Sequence, residues 1–137
     1  MTKDRKFIFH GNHFAKFYVK QTMVVQEKIE FVFTIVRTVE KVPKKYFEHL
    51  KGTKGLFEIR IEIESNIFRI FCCFDQGNLV VLFNAFQKKS QKTPTGEIEL
   101  AIKLQKEYFS QKLEKAKANN VLLKNQTSNK NDKKSKK

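Results

Sequence analysis

With 137 residues, the chain has room for one compact domain with a modest core and not for two. Lys and Arg number 28 against 14 Asp and Glu, a formal net charge of +14, which points to a polyanionic partner such as nucleic acid or an acidic membrane surface. Fourteen phenylalanines exclude a merely charged, disordered chain. No window approaches a transmembrane span and no apolar signal-peptide core opens the chain, so the expectation is a cytoplasmic protein without a membrane partner.

Lys6-Phe7-Ile8-Phe9 reads as a short first strand ending in the turn-like His10-Gly11-Asn12. Asn12 is placed to cap a helix that carries Phe14, Phe17 and Tyr18 on one face. The next segment is rich in strand-favouring valine and phenylalanine, but its period decides for helix. Val25, Ile29, Val32, Val36 and Val39 recur at helical steps, with Gln26, Glu27, Lys28, Arg37 and Glu40 between them. Pro43 is expected to end that helix. Lys44 to Leu50 reads as a short helix, closed by the loop Lys51-Gly52-Thr53-Lys54-Gly55.

The period then changes to two. Phe57, Ile59, Ile61 and Ile63 face one way and Glu58, Arg60, Glu62 and Glu64 the other, the mark of a half-buried strand. Ser65-Asn66 turns the chain into a strand over Ile67–Phe74, and Asp75-Gln76-Gly77-Asn78 turns it again into Leu79–Phe86. These two strands are nearly all apolar and belong in the middle of a sheet. Short turns between successive strands predict an antiparallel meander. Thr93 as cap and Pro94 at the first position start a closing helix. Ile98, Ala101, Ile102, Gln105, Tyr108 and Phe109 mark one face of it, to about Ala118. Domain boundaries are therefore set at 1–118 for an α+β domain and 119–137 for a flexible basic tail.

Cys72 and Cys73 are adjacent on a strand, so they point to opposite faces and read as free thiols of a reducing compartment. His10, His13 and His49 have no ligand spacing, and no nucleophile motif, Gly-rich phosphate loop or paired-carboxylate signature occurs; neither metal nor cofactor is expected. The concentrated chemistry lies in Phe86-Gln87-Lys88-Lys89-Ser90-Gln91-Lys92-Thr93-Pro94, where three lysines leave the last central strand. Such a block is a solvated loop on composition alone; its position near Arg60 and Arg69 makes it a phosphate clamp. Arg69, within an apolar strand, needs an answering charge. It either pairs with Glu58 or Glu62 across the sheet or reaches a phosphate. Lys51 and Lys54 are ordinary turn residues or a further lining of the same cleft. RNA brings its own nucleophile, the 2′-hydroxyl, so a cluster of arginine and lysine suffices to hold the backbone in line and stabilise the phosphorane.

The runs Leu56-Phe57-Glu58-Ile59-Arg60, Asn66-Ile67-Phe68-Arg69-Ile70-Phe71 and Lys88-Lys89-Ser90-Gln91-Lys92-Thr93-Pro94, in this order after a helical pair, resemble the phage-derived HigB-like toxins of the RelE/ParE superfamily over roughly Phe7 to Phe109. The resemblance implies a RelE-like α+β fold: an N-terminal strand and helices, a curved antiparallel meander and a C-terminal helix. It also implies the toxin of a type II toxin–antitoxin pair, a metal-independent, ribosome-dependent mRNA endonuclease held by a helix-turn-helix antitoxin. On that footing Arg60, Arg69, Lys88, Lys89 and Lys92 are the catalytic candidates, and Lys51 and Lys54 the RNA-binding ones. Ala85 stands where the family usually has glycine, Ser90 where threonine is common, and Gly96 weakens the start of the last helix. A non-catalytic module gripping RNA or the ribosome, and a gyrase-targeting ParE-like toxin, are the alternative readings.

Overall fold

The computed structural model describes residues 2–135, with side chains through residue 125. Two compact units divide the chain, Met1–Gln105 and Lys106–Lys137. The first holds β1 (Lys6–Phe9), α1 (His13–Val19), α2 (Met23–Thr38), β2 (Phe47–His49), β3 (Leu56–Ile63), β4 (Asn66–Asp75), β5 (Leu79–Lys88) and the opening turns of α3 (Thr95–Ser135). The second is the remainder of α3. The architecture is α+β, as expected.

β3, β4 and β5 form the predicted antiparallel meander, inside a five-stranded mixed sheet of order β1-β5-β4-β3-β2. β1 lies parallel to β5, Lys6 opposite Leu79 through Phe9 opposite Leu82. Both N-terminal helices and strands β2 to β4 lie between β1 and β5 in the chain, which meets the need of a parallel pair for a long connection. On one sheet face Phe14, Val25, Ile29, Val32 and Val36 of α1 and α2 pack with Ile59, Ile61, Phe68, Ile70 and Leu82 in a single buried core. Strand alternation sends Leu56, Phe71, Cys73, Val81 and Phe86 to the other face, where they are buried along with Ala101 and Leu104 of α3. Two helical layers thus explain why β4 and β5 read as nearly unbroken apolar runs. A register shift marks the middle of the sheet: Ile70 pairs with Ala85 but Cys72 with Leu82, so β5 carries one extra residue around Phe83 and Asn84.

Five local expectations change. Lys44–Leu50 is not a helix. Tyr46 N and Phe47 N both bond to the Pro43 carbonyl in a turn, after which Phe47, Glu48 and His49 pair with Ile59, Glu58 and Phe57 as an edge strand. The Phe47 ring stacks flat on Phe57, centroids 4.9 Å apart, a tertiary contact that outweighs local helix preference. α2 ends at Thr38, well before Pro43, and Val39 is extended and bridges to Thr2. Asn12 starts α1 without a side-chain capping bond, and α3 begins at Thr95, with the Pro94 carbonyl accepting from Glu97 N and Ile98 N. α3 runs to Ser135 rather than to Ala118, its stretch beyond 118 having neither Pro nor Gly to break it. The side chains of residues 126–137, much of the expected basic tail, lie outside the described residues.

The end of α2 is held from a distance. Arg5 donates through Nη1 to the carbonyls of Val36 (2.8 Å) and Val39 (2.6 Å) and through Nη2 to Glu40 O (2.7 Å), answering carbonyls that a helix terminus leaves open. Arg5→Met is expected to lower unfolding free energy by about 2 kcal/mol, measured by urea denaturation.

Both cysteines are free and buried. Burial first, then the Asp75 carboxylate, pushes the Cys73 thiol up to about 11 from its ordinary 9.0, against a weaker pull down from a Gln105 hydrogen bond. The native state therefore holds the Cys73 proton at a pH where the unfolded chain has released it. Its contribution to stability is intact below 9.0 and lost as pH rises through about 11. A pH series of denaturation midpoints is expected to fall across that window, and neither thiol should react with a disulfide reagent at neutral pH until the protein unfolds.

Candidate active site

Pairing register brings the two arginines together. Arg60 on β3 stands directly opposite Arg69 on β4, and Arg69 opposite Phe86 on β5. One position further toward the same sheet end, Glu62 stands opposite Ile67 and Ile67 opposite Lys88 on that face. Adjacent like charges repel, and the chain answers them with three glutamates. Arg60 Nη1 donates to Glu48 Oε2 at 2.9 Å, and Arg60 Nε lies 3.6 Å from Glu58 Oε1. Arg69 Nε is 3.8 Å from Glu58 Oε2 and its Nη2 is 3.6 Å from Glu62 Oε1. Glu58 therefore bridges both guanidinium groups.

Arg69 is the more constrained of the two. It is 2% exposed and donates from Nη1 to the neighbouring Phe68 carbonyl at 3.1 Å. Burial, and next the Arg60 charge, pull its guanidinium below its ordinary pKa, while Glu58 and Glu62 pull it back. Arg69 thus pairs across the sheet with Glu58 and Glu62, as one of the two expectations had it, and it also lines a cleft. The Nε groups of Arg60 and Arg69 are buried and make no hydrogen bond; Glu58 meets them only at ion-pair distance, 3.6 and 3.8 Å.

That cleft, about 420 Å³, is bounded by Arg60, Glu62, Arg69, Lys88, Lys89 and Ser90. Lys88 ends β5 and is half-buried, while Lys89 begins the loop and is exposed. Ser90 Oγ donates to the Lys92 carbonyl at 3.0 Å and so tightens the loop. Lys92 itself is exposed and does not line the cleft. Lys51 and Lys54 do not converge on it either. They precede Leu56 at the opposite end of β3, where Gln105 Nε2 donates to the Lys54 carbonyl at 2.9 Å. Four of the five catalytic candidates therefore meet, and the two loop lysines stand apart. Glu62, 52% exposed at the cleft wall, belongs to the site and was absent from the expected set. Its place two residues after Arg60 in an alternating strand was the signal for it.

The family model for the phage-derived protein Gp49-like matches residues 19–106. The chain belongs to the Gp49-like family. That family is of RelE-like toxin type. In this Gp49-like chain the matched segment runs from the end of α1 into α3 and contains every residue of the arginine–lysine cleft. No curated protein matches the chain. Among the described residues no helix is long and apolar enough to cross a membrane.

Proposed function

We propose that this Gp49-like protein is the toxin of a type II toxin–antitoxin pair, of HigB-like kind, and that it cleaves mRNA in the ribosome. The observation that carries the reading is the meeting of Arg60, Arg69, Lys88 and Lys89 in one cleft, with Glu62 at its wall. The chemistry is transesterification. The 2′-oxygen of the RNA attacks the adjacent phosphorus, the bond from phosphorus to the 5′-oxygen breaks, and the products are a 2′,3′-cyclic phosphate and a 5′-hydroxyl. Arg60 and Arg69 hold the phosphate and stabilise the negative charge growing on its oxygens, Lys88 and Lys89 complete that field, and one of the two lysines protonates the leaving oxygen. Glu62, 52% exposed and held by Arg69 at 3.6 Å, is the carboxylate placed to take the 2′-hydroxyl proton. Lys92 then acts on flanking phosphates, and Lys51 and Lys54 serve as a separate contact to ribosomal RNA. The helix-turn-helix antitoxin is expected to cover the cleft with an acidic or occluding surface.

Expression in a bacterial host followed by primer extension on mRNA tests the reading. Growth arrest with new 5′ ends is expected for the native chain and not for Lys88→Ala/Lys89→Ala. Arrest without new ends moves the assignment to a gyrase-directed toxin. RNA binding without either effect moves it to a non-catalytic module, which the internal pairing of both arginines with Glu48, Glu58 and Glu62 would then explain.

A further inference from the structure

Beyond Leu82, β5 loses its parallel neighbour. β1 ends at Phe9, and the last bond of that edge runs from His10 N to Leu82 O at 3.0 Å. A second cavity, about 300 Å³, opens in this region, lined by His13, Lys16 and Phe17 of α1, by Lys20 just after it, and by Asn84 and Glu97. The extra residue of β5 falls here and sets Asn84 apart from the regular strand.

Asn84 is 2% exposed, and its orientation is determined by its partners. Nδ2 donates to the Glu97 carbonyl at 3.1 Å and to Glu97 Oε1 at 3.0 Å, two groups that only accept. Oδ1 is therefore the acceptor end, and it is buried with no hydrogen-bond partner. His13 Nδ1, also at this cavity, is buried and without a partner as well. A buried acceptor left unanswered is costly unless something arrives to donate to it. At the rim, Lys16 and Lys20 stand one helical turn apart and exposed. Phe17 supplies an apolar wall.

An acceptor inside, Asn84 Oδ1, and cations outside select against most ligands. A bare phosphate suits the lysines but not Asn84 Oδ1, and an amine suits Oδ1 but not the lysines. A nucleotide answers both, with an N–H of its base donating inward and its phosphate held at the rim. Ala85, beside this cavity, and Lys88, at the arginine cleft, are three residues apart on β5, about 10 Å along it and on opposite faces, so an RNA segment that reaches both passes round the β5 edge beyond the end of β1.

We propose that the cavity between α1 and the start of α3 is a base-binding subsite for an RNA nucleotide flanking the cleaved bond, with Asn84 Oδ1 as acceptor and Lys16 and Lys20 on the phosphate. The inference rests on the RNA-cleaving reading, and its test needs no cleavage. A fluorescent 2′-O-methyl pentanucleotide of adenosine, which lacks the attacking hydroxyl, is titrated with the full chain and followed by anisotropy. A matching oligomer carries unsubstituted purine, a base without any N–H donor. The purine oligomer is expected to bind about tenfold more weakly, the worth of one unanswered hydrogen bond. Lys16→Gln/Lys20→Gln is expected to weaken the adenosine oligomer by about tenfold through two lost phosphate contacts. Asn84→Ala, where it folds, should bind both oligomers alike, and the lysine variant carries the test where it does not. The subsite is overturned if the native chain binds both oligomers equally and Lys16→Gln/Lys20→Gln matches it, while Lys88→Ala/Lys89→Ala still weakens binding; the cleft assignment then stands alone. Absence of binding by the native chain to either oligomer overturns the subsite, and the cleft reading is then judged by primer extension alone.

Discussion

Arg69→Ala is expected to cost about 3 kcal/mol of folding stability, the range for removing one partner of a buried ion pair. The loss exceeds that of an ordinary surface charge because Arg69 is 2% exposed and faces Glu58, itself only 12% exposed. Without Arg69, Glu58 keeps Arg60 at 3.6 Å, so the carboxylate is not wholly abandoned and the cost stays at the lower end. Arg69→Met/Glu58→Gln should recover much of it, because the uncompensated charge goes too. Urea midpoints of the native chain and three variants (each single change and the double) measure the coupling. A purely catalytic role for Arg69 predicts no loss of stability in Arg69→Ala, and that outcome would remove the ion-pair account. Arg69→Lys separates the two roles. It retains a cation for Glu58 but not the planar fork, so cleavage should fall by about 100-fold while the fold persists.

Lys88→Ala/Lys89→Ala is expected to reverse that balance. Cleavage should fall by about 10²–10⁴, the range for losing an electrostatic stabiliser together with a proton donor. Stability should move by no more than about 0.5 kcal/mol, because Lys89 is exposed and Lys88 lies at the end of its strand. Single-turnover cleavage on programmed ribosomes, beside a urea midpoint, reads both quantities. If cleavage and stability fell together, the lysines would be structural and the clamp account would fail. The opposite signatures of Arg69 and the lysine pair are the sharpest test of a site in which some cations build the sheet and others serve the substrate.

Much of this site was legible in the chain. An alternating β3 put Arg60 on the polar face, an arginine between Phe68 and Ile70 demanded a partner, and the lysine block sat where a central strand ends. What alternation could not supply was register. Whether Arg60 meets Arg69 or passes it depends on the length of the turn between strands, and the pairing closes through Glu64-Ser65 with Glu64 at φ 56°. That backbone region normally favours glycine. The same dependence put Lys92, Lys51 and Lys54 outside the cleft although their spacing in the chain looked similar.

Local pattern by itself determined the α+β class, the helical pair, the three-stranded meander and the basic balance, because helix and strand periods record which faces meet the core. Tertiary structure decided the rest. Phe47 joins a strand because Phe57 offers it a ring to stack on. β1 lies parallel to β5, and one extra residue in β5 turns Asn84 toward Glu97. Three glutamates shared by two arginines exist only once β2, β3 and β4 are side by side. Each of these depends on a partner distant in the chain, and a residue's own neighbours carry no record of what the fold will place against it.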